Sequence, residues 1–287
     1  MFNNFKSKIE TKINKTMINK LLKKFVNILI VLIIPVFTLA QDFEVAPAII
    51  FFNAEPGQSQ TAQIIITNHS NEKSSFTATL HDFIINKEGN FVDMPAGKTE
   101  HSLAKWIHIN PVFVEINPNE AKQVTVSIQP PTGDYSTRWA NIYIKSTKEQ
   151  TALVADKNLR AAVVVEGQIA VKVLQSPKSN INYKMKITGL TEITTAQDTT
   201  RRFKALVDNF GDKITNCKII FLASNLSTSE EKKITEFKFT SYPDSQREII
   251  MTVSKNALPP GKYALAMILD YGKQSNLEGT QMIINVD

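Results

Sequence analysis

Three short runs between Pro111 and Ser146 alternate between apolar and polar residues with a period of two. Their apolar positions are Val112, Val114 and Ile116, then Val124, Val126 and Ile128, then Ala140, Ile142 and Ile144. Successive side chains of a strand point to opposite faces of a sheet, so each run predicts a half-buried strand. Turn residues at 117–119 and 130–134 separate the runs. This pattern is typical of an antiparallel β-sandwich.

The same pattern extends over the rest of the chain. In the first half it predicts strands at 42–52, 60–68, 75–85 and 161–174, with a loop at 93–102. Pro47 makes the first of these an edge strand or a kinked strand. In the second half it predicts seven strands, at 181–190, 202–209, 214–223, 233–240, 247–253, 262–270 and 280–286. The polar segment 175–180, which holds Pro177, is a linker candidate between the halves.

Two sequence features of the first half recur in the second half. The strand that ends at Asn68 corresponds to one that ends at Asn209, and 130–135 (PPTGDY) corresponds to 259–263 (PPGKY). We therefore predict an all-β protein of two tandem immunoglobulin-like β-sandwich domains after an N-terminal signal peptide. The predicted boundaries are 1–40 for the signal peptide, 41–175 for the first sandwich and 176–287 for the second.

The N-terminal segment carries the net charge of the chain. Seven lysines and one acid lie within residues 1–40, so 26 of the 33 basic and 26 of the 27 acidic residues lie beyond it. A balanced remainder argues against nucleic acid as a partner. Lys20, Lys23 and Lys24 precede an apolar run from Phe25 to Leu39, and small residues stand at the −3 and −1 positions before Gln41. These features predict a cleaved secretory signal, for which Met17 is an alternative start.

An uncleaved anchor is the alternative interpretation of the same segment. The apolar run is shorter than the roughly 20 residues that a spanning helix needs, and the chain has no C-terminal apolar tail. We therefore expect no stable membrane span after cleavage, and an exported protein that is periplasmic or at the cell surface of a bacterium.

No motif of catalysis or metal binding stands out in the chain. The four histidines lack metal-ligand spacing, and there is no nucleophile motif or glycine-rich phosphate loop. The single cysteine, Cys217, lies in an apolar run, which predicts a buried structural thiol. We expect a protein that is not an enzyme and takes no cofactor.

The valine-rich run at 161–174 is the candidate binding site. Val163, Val165, Ile169 and Val171 share one parity, and Gly167 between them indicates a bulge or a close backbone approach. If the run forms an exposed edge, a partner strand can pair with it. If it forms an interior strand, the same side chains belong to the domain's own core. Arg138, Trp139 and Tyr143 are typical of interface anchors or of core residues.

Residues 42–177 resemble the N-terminal domain of PapD-like periplasmic chaperones. The resemblance rests on the strand that ends at Asn68, on Pro118–Glu120, on Gly133–Tyr135 and on the valine-rich run before Pro177. It implies a valine-rich strand that lends its side chains to a folding partner, and a lysine, here Lys172, that holds the partner's terminal carboxylate. The family's first-strand arginine has no counterpart, since no basic residue lies between Asp42 and Asn53.

A second resemblance covers part of the same span. Residues from Ser102 to Tyr143 are similar to the peptidoglycan-binding N-terminal domain of cell-surface proteins that interact with WxL proteins. Two functions are therefore predicted. The first is a chaperone-like or assembly protein that binds a partner polypeptide, such as a pilus or surface subunit, through Val163, Val165, Ile169, Val171 and Lys172. The alternative is a protein that binds peptidoglycan or another glycan, or a structural surface protein.

Overall fold

The computed structural model describes residues 42–147, 167–272 and 277–286. Residues 42–287 form one compact unit. The regular secondary structure of the described residues is entirely β, so the all-β prediction is confirmed. No helix among them is long and apolar enough to cross a membrane.

Ten strands of the described residues belong to the first sandwich. They are β1 (Phe43–Ala46), β2 (Ile49–Phe52), β3 (Gln60–Asn68), β4 (Ser74–Ile85), β5 (Phe91–Pro95), β6 (Ile107–Asn110), β7 (Phe113–Ile116), β8 (Ala121–Ile128), β9 (Arg138–Thr147) and β10 (Gln168–Gln175). One sheet has the order β1-β3-β8-β6. The other has the order β2-β10-β9-β4-β5, with β7 paired to β4. The two sheets enclose a core of apolar side chains.

Seven strands build the second sandwich, as the alternation predicts. They are β11 (Met185–Glu192), β12 (Thr200–Asn209), β13 (Thr215–Asn225), β14 (Glu231–Ser241), β15 (Ser245–Ser254), β16 (Gly261–Asp270) and β17 (Glu278–Val286). Their sheets have the orders β11-β12-β15 and β14-β13-β16-β17. This is the arrangement of an immunoglobulin-like sandwich around its own core.

Pro47 divides the first predicted strand between the two sheets. β1 pairs antiparallel with β3, while β2 pairs parallel with β10. A proline lacks the N–H that a ladder needs, so the chain leaves one sheet here and enters the other. The predicted kink is confirmed, and it leaves β2 as an edge strand of the larger sheet.

Two predictions in the first sandwich are wrong in detail. The predicted loop at 93–102 begins inside a strand, because β5 pairs with β4 as far as Pro95. Val112, predicted to share a buried face with Val114 and Ile116, is 55% exposed, whereas the other two are buried. β7 begins only at Phe113, directly after Pro111 and Val112, although the Val112 carbonyl still accepts a hydrogen bond from the Ala78 N–H (2.8 Å).

The two predictions that concern single small residues are confirmed. A Cβ at Gly167 would lie 2.9 Å from the buried ring of Phe43, which is the close approach that the glycine indicated. The thiol of Cys217 is buried in the second core, and burial raises its pKa to about 12. A thiol with so high a pKa is not a nucleophile at neutral pH.

Candidate functional site

β10 lies between two strands for only half of its length. It pairs antiparallel with β9 from Gln168 to Gln175, but with β2 only from Lys172 to Gln175. The side chain of Val171 is fully buried and that of Ile169 packs against the same core. These two side chains therefore belong to the first sandwich, as the interior interpretation predicted. Val163 and Val165 lie outside the described residues.

Among the described residues, the backbone of β10 has an unpaired edge at Gln168 and Ala170. Gly167 accepts a hydrogen bond from the Ser146 N–H on the β9 side (3.0 Å), and Lys172 donates to the Ala48 carbonyl on the other side (3.0 Å). Because backbone groups alternate between the two edges of an antiparallel strand, those of Gln168 and Ala170 point away from β9. In the described part of the chain no strand pairs with them on that side.

Lys172 begins the segment that β2 covers. Its side chain is half-buried, and its ammonium lies 4.0 Å from the ring centroid of Phe91. Burial lowers the pKa of Lys172, and no carboxylate among the described residues lies within ion-pair distance of its ammonium. A half-buried ammonium with unused donors is suited to bind an incoming anion.

A cleft of about 570 Å³ opens beside Lys172, between the sandwiches. Lys172, Lys178 and Lys213 line it, and none of its described lining residues is acidic. Exposed apolar side chains also line the cleft, including Phe51 (67% exposed) and Ile181 (73% exposed). The cleft is therefore basic and apolar, which favours an anionic group carried next to apolar side chains.

Lys213 is a less available cation than Lys172. Its ammonium donates to the Ser176 hydroxyl (2.7 Å) and to the Pro177 carbonyl (3.0 Å). Burial lowers its pKa, while the nearby carboxylates of Asp212 and Glu55 oppose that shift. Lys213 thus joins the second sandwich to the segment between the sandwiches, while Lys172 keeps its donors.

A small apolar cluster holds the two sandwiches together below the cleft. Phe83, Trp139 and Leu174 from the first sandwich pack with Tyr242 from the second. The Trp139 and Tyr242 rings meet edge to face with centroids 5.1 Å apart, and the Trp139 indole N–H donates to the Phe83 carbonyl (2.9 Å). A buried indole with a satisfied donor is a packing residue, so Trp139 fixes the walls of the cleft.

Polar contacts surround this cluster. The Asp212 carboxylate of the second sandwich accepts hydrogen bonds from the Thr137 N–H (3.0 Å) and from the Asn180 side chain (2.8 Å). Burial raises the pKa of Asp212, although these hydrogen bonds oppose the shift. The Glu248 N–H donates to the Lys87 carbonyl (2.8 Å) across the same interface. Several groups that are distant in sequence therefore fix the position of one sandwich on the other.

The other side chains singled out in the sequence have structural roles. Arg138 lies over the buried Trp106 ring (4.3 Å) and donates to the carbonyls of Glu100 and Ser102. The Tyr143 hydroxyl donates to Asp93, which also binds His81 (2.8 Å). No group of three or more His, Cys, Asp or Glu residues suited to a metal ion occurs in the described ranges.

The comparisons with known proteins find likeness in structure only. No family model matches the chain, and neither does any curated protein. A chain from the chaperone–tip adhesin complex of CFA/I fimbriae biogenesis matches with a TM-score of 0.47 and 11% identity, over 76% of this chain and 97% of that one. The class 5 fimbriae chaperone CfaA matches with a TM-score of 0.46 and 11% identity, over 84% and 98%.

The Escherichia coli chaperone DraB also matches, with a TM-score of 0.38 and 12% identity, over 85% of this chain and 97% of that one. By their descriptions, these structures are chaperones or come from a chaperone complex. The likeness is one of overall fold.

Proposed function

We propose that the protein is an exported, chaperone-like assembly factor that binds an extended segment of a partner polypeptide by strand addition to β10. The observation that carries this proposal is the backbone edge at Gln168 and Ala170, with which no strand in the described ranges pairs. Strand addition requires such unpaired N–H and C=O groups beside a paired, rigid strand. β9 holds the other edge of β10 in register along all eight residues, so the free edge is preformed.

The cleft beside Lys172 extends the proposal to the end of the bound segment. The free edge stops where β2 begins to pair with β10, at Lys172. A partner strand that ends there would place its terminal carboxylate near an ammonium with unused donors. Its last apolar side chain would lie near Phe51 and Ile49. Peptidoglycan binding stays a prediction of the sequence alone.

Peptide binding with residue-specific hydrogen exchange tests strand addition. The probe is a 12-residue peptide of alternating apolar and polar residues with a free C-terminus. We expect the Gln168 and Ala170 amides to exchange fast in the free protein and slowly with peptide. The Ile169 and Val171 amides, which face β9, should be slow in both states. If the peptide leaves the exchange rates of the Gln168 and Ala170 amides unchanged, the proposal is wrong.

A pair of variants at Ala170 adds a functional control. Ala170→Pro removes the N–H that points away from β9, and every donor in the ladder with β9 remains. We expect peptide affinity to fall about tenfold or more. Ala170→Val keeps that N–H and should bind like the wild type. A slow Ile169 amide in both variants would show that β10 still pairs with β9. Equal binding by the two variants would exclude this edge as the site.

A further inference from the structure

The ammonium of Lys172 is surrounded by aromatic rings. Its distances to the ring centroids are 4.0 Å for Phe91, 5.6 Å for Phe83 and 5.9 Å for Tyr242. The negative face of an aromatic ring attracts a cation within about 6 Å. Phe83 and Phe91 belong to β4 and β5, whereas Tyr242 belongs to the second sandwich. The aromatic surroundings of Lys172 thus come from both sandwiches.

The three rings support one another in this arrangement. Phe83 meets Phe91 and Tyr242 edge to face, with centroids 5.2 and 5.7 Å apart. Phe83 and Tyr242 are buried, so packing of the interface accounts for them. Phe91 is 54% exposed and has the shortest distance to the ammonium. Packing against Phe83 therefore accounts for only part of the Phe91 surface.

We propose that Phe91 is a positioning residue, which holds the Lys172 ammonium at the cleft so that it meets the terminal carboxylate of the bound segment. This inference rests on the proposed function. A lysine has a flexible four-carbon stem, and fixing it on binding costs conformational entropy. An ammonium that already lies on a ring has lost part of that freedom before the partner arrives. The ring accepts no conventional hydrogen bond, so the ammonium N–H donors remain for the carboxylate.

Two variants distinguish an aromatic role of Phe91 from a merely apolar one. Phe91→Leu keeps an apolar side chain beside Phe83 but removes the π face, whereas Phe91→Trp keeps a face. We expect a free-acid peptide to bind the wild type about tenfold more tightly than its C-terminally amidated form, because only the acid engages Lys172. Phe91→Leu should reduce this ratio to about threefold and leave the amidated peptide unchanged. Phe91→Trp should keep the acid-to-amide ratio of affinities near that of the wild type.

Lys172→Met is the reference variant, since it should abolish the difference between acid and amide. If Phe91→Leu weakens both peptides equally, Phe91 acts by shape and the proposal is wrong. If acid and amide bind the wild type equally, the carboxylate contact is absent and the proposal falls, while strand addition to β10 stands.

Acetate provides a probe that does not depend on peptide binding. The Cε protons of Lys172 in the full chain should show an upfield ring-current shift, which Phe91→Leu diminishes. Acetate should perturb the Lys172 signal at lower concentration in the wild type than in Phe91→Leu. If the wild type responds at lower acetate concentration and neither protein binds the peptide, Phe91 has the proposed role and strand addition is wrong. Equal acetate responses in the two proteins would overturn the role of Phe91.

Discussion

His101 of the first sandwich and Asp244 of the second form a hydrogen bond of 3.0 Å between the imidazole Nε2 and the carboxylate Oδ2. The other ring nitrogen, Nδ1, lies 2.9 Å from the Thr137 carbonyl, and the ring stacks on Trp139 with centroids 4.4 Å apart. The His101 ring therefore joins Asp244 of the second sandwich to Thr137 and Trp139 of the first.

We expect this contact to stabilise the packing of one sandwich on the other. His101→Phe keeps the stacking on Trp139 and removes both hydrogen bonds. The variant should lose about 1 kcal/mol in free energy of unfolding, because Asp244 is largely exposed and its contact contributes little. Urea unfolding of the wild type and the variant measures the difference.

Asp244→Asn is the control for that measurement. It keeps a hydrogen-bond acceptor beside His101 but removes the negative charge. In the Asp244→Asn background the further loss caused by His101→Phe should be smaller than in the wild type, because the charged contact is already gone. An equal loss in the two backgrounds would show that the contact between His101 and the Asp244 carboxylate has no net value.

Gly89 and Gly133 offer a matched pair for the contact between the sandwiches. Both have left-handed backbones, with φ of +83° and +84°. A Cβ at Gly89 would overlap the Arg247 guanidinium of the second sandwich (1.7 Å), whereas a Cβ at Gly133 meets nothing within 4 Å. Each alanine variant should lose about 1–2 kcal/mol to backbone strain. Gly89→Ala should lose about 1 kcal/mol more, because Arg247 must move.

Thermal unfolding of the two alanine variants distinguishes these contributions. Equal losses would mean that the Arg247 contact with the first sandwich has no net value. A larger loss in Gly133→Ala would show that its loop contributes more than its open surroundings indicate.

Lys172→Met should stabilise the protein at neutral pH. Burial lowers the pKa of Lys172 below its ordinary 10.5, so the folded state disfavours the ammonium. The folded wild type binds fewer protons than the unfolded chain between the lowered pKa and about 10.5. Its stability relative to Lys172→Met should therefore rise with pH through this window. We expect the variant to melt about 2 °C higher at pH 7.

Melting temperatures of both proteins between pH 7 and pH 10.5 test this expectation. A variant that melts lower than the wild type at pH 7 would show that the aromatic contacts outweigh the cost of burial. Loss of binding together with a gain in stability would be typical of a residue retained for function.

Asn68 and Asn209 occupy the same kind of turn, as their recurrence in the sequence indicated. Each side-chain oxygen accepts the N–H two residues later, and each amide donates to the carbonyl four residues later. Asn68 also donates to the Ile116 and Asn117 carbonyls. Asn68→Ala should therefore destabilise by about 3 kcal/mol and Asn209→Ala by about half as much. Urea unfolding of each variant tests this, and equal losses would contradict it.

The alternation of the sequence predicts most strands because local sterics and one buried face determine them. It fails at Val112 and at β5, where the pairing of distant strands decides which residues join a ladder. The Asn68 and Asn209 turns are visible in the sequence because their hydrogen bonds are local. The unpaired edge of β10 is not visible in the sequence, since it depends on where β2 begins to pair with β10.

Three side chains at the interface between the sandwiches depart from the alternation of their strands. Phe83, Trp139 and Leu174 have the parity of the polar residues in their strands, as the neighbours His81, Asn141 and Lys172 show. Large apolar side chains near the ends of three strands, on the otherwise polar face of the sheet, indicate that this part of the face is also buried. Tyr242 could not be assigned to this surface, because it lies in the turn between β14 and β15, where no alternation applies.

β1 pairs in the smaller sheet, and after Pro47 the chain enters the larger sheet as β2, which pairs with β10 only from Lys172 onward. In the described part of the chain, the edge of β10 from Gln168 to Lys172 has no strand beside it and is bounded by β2 at one end. This edge is about 13 Å long. A segment that pairs with it would have to end where β2 begins, so the fold would limit how far the bound segment extends.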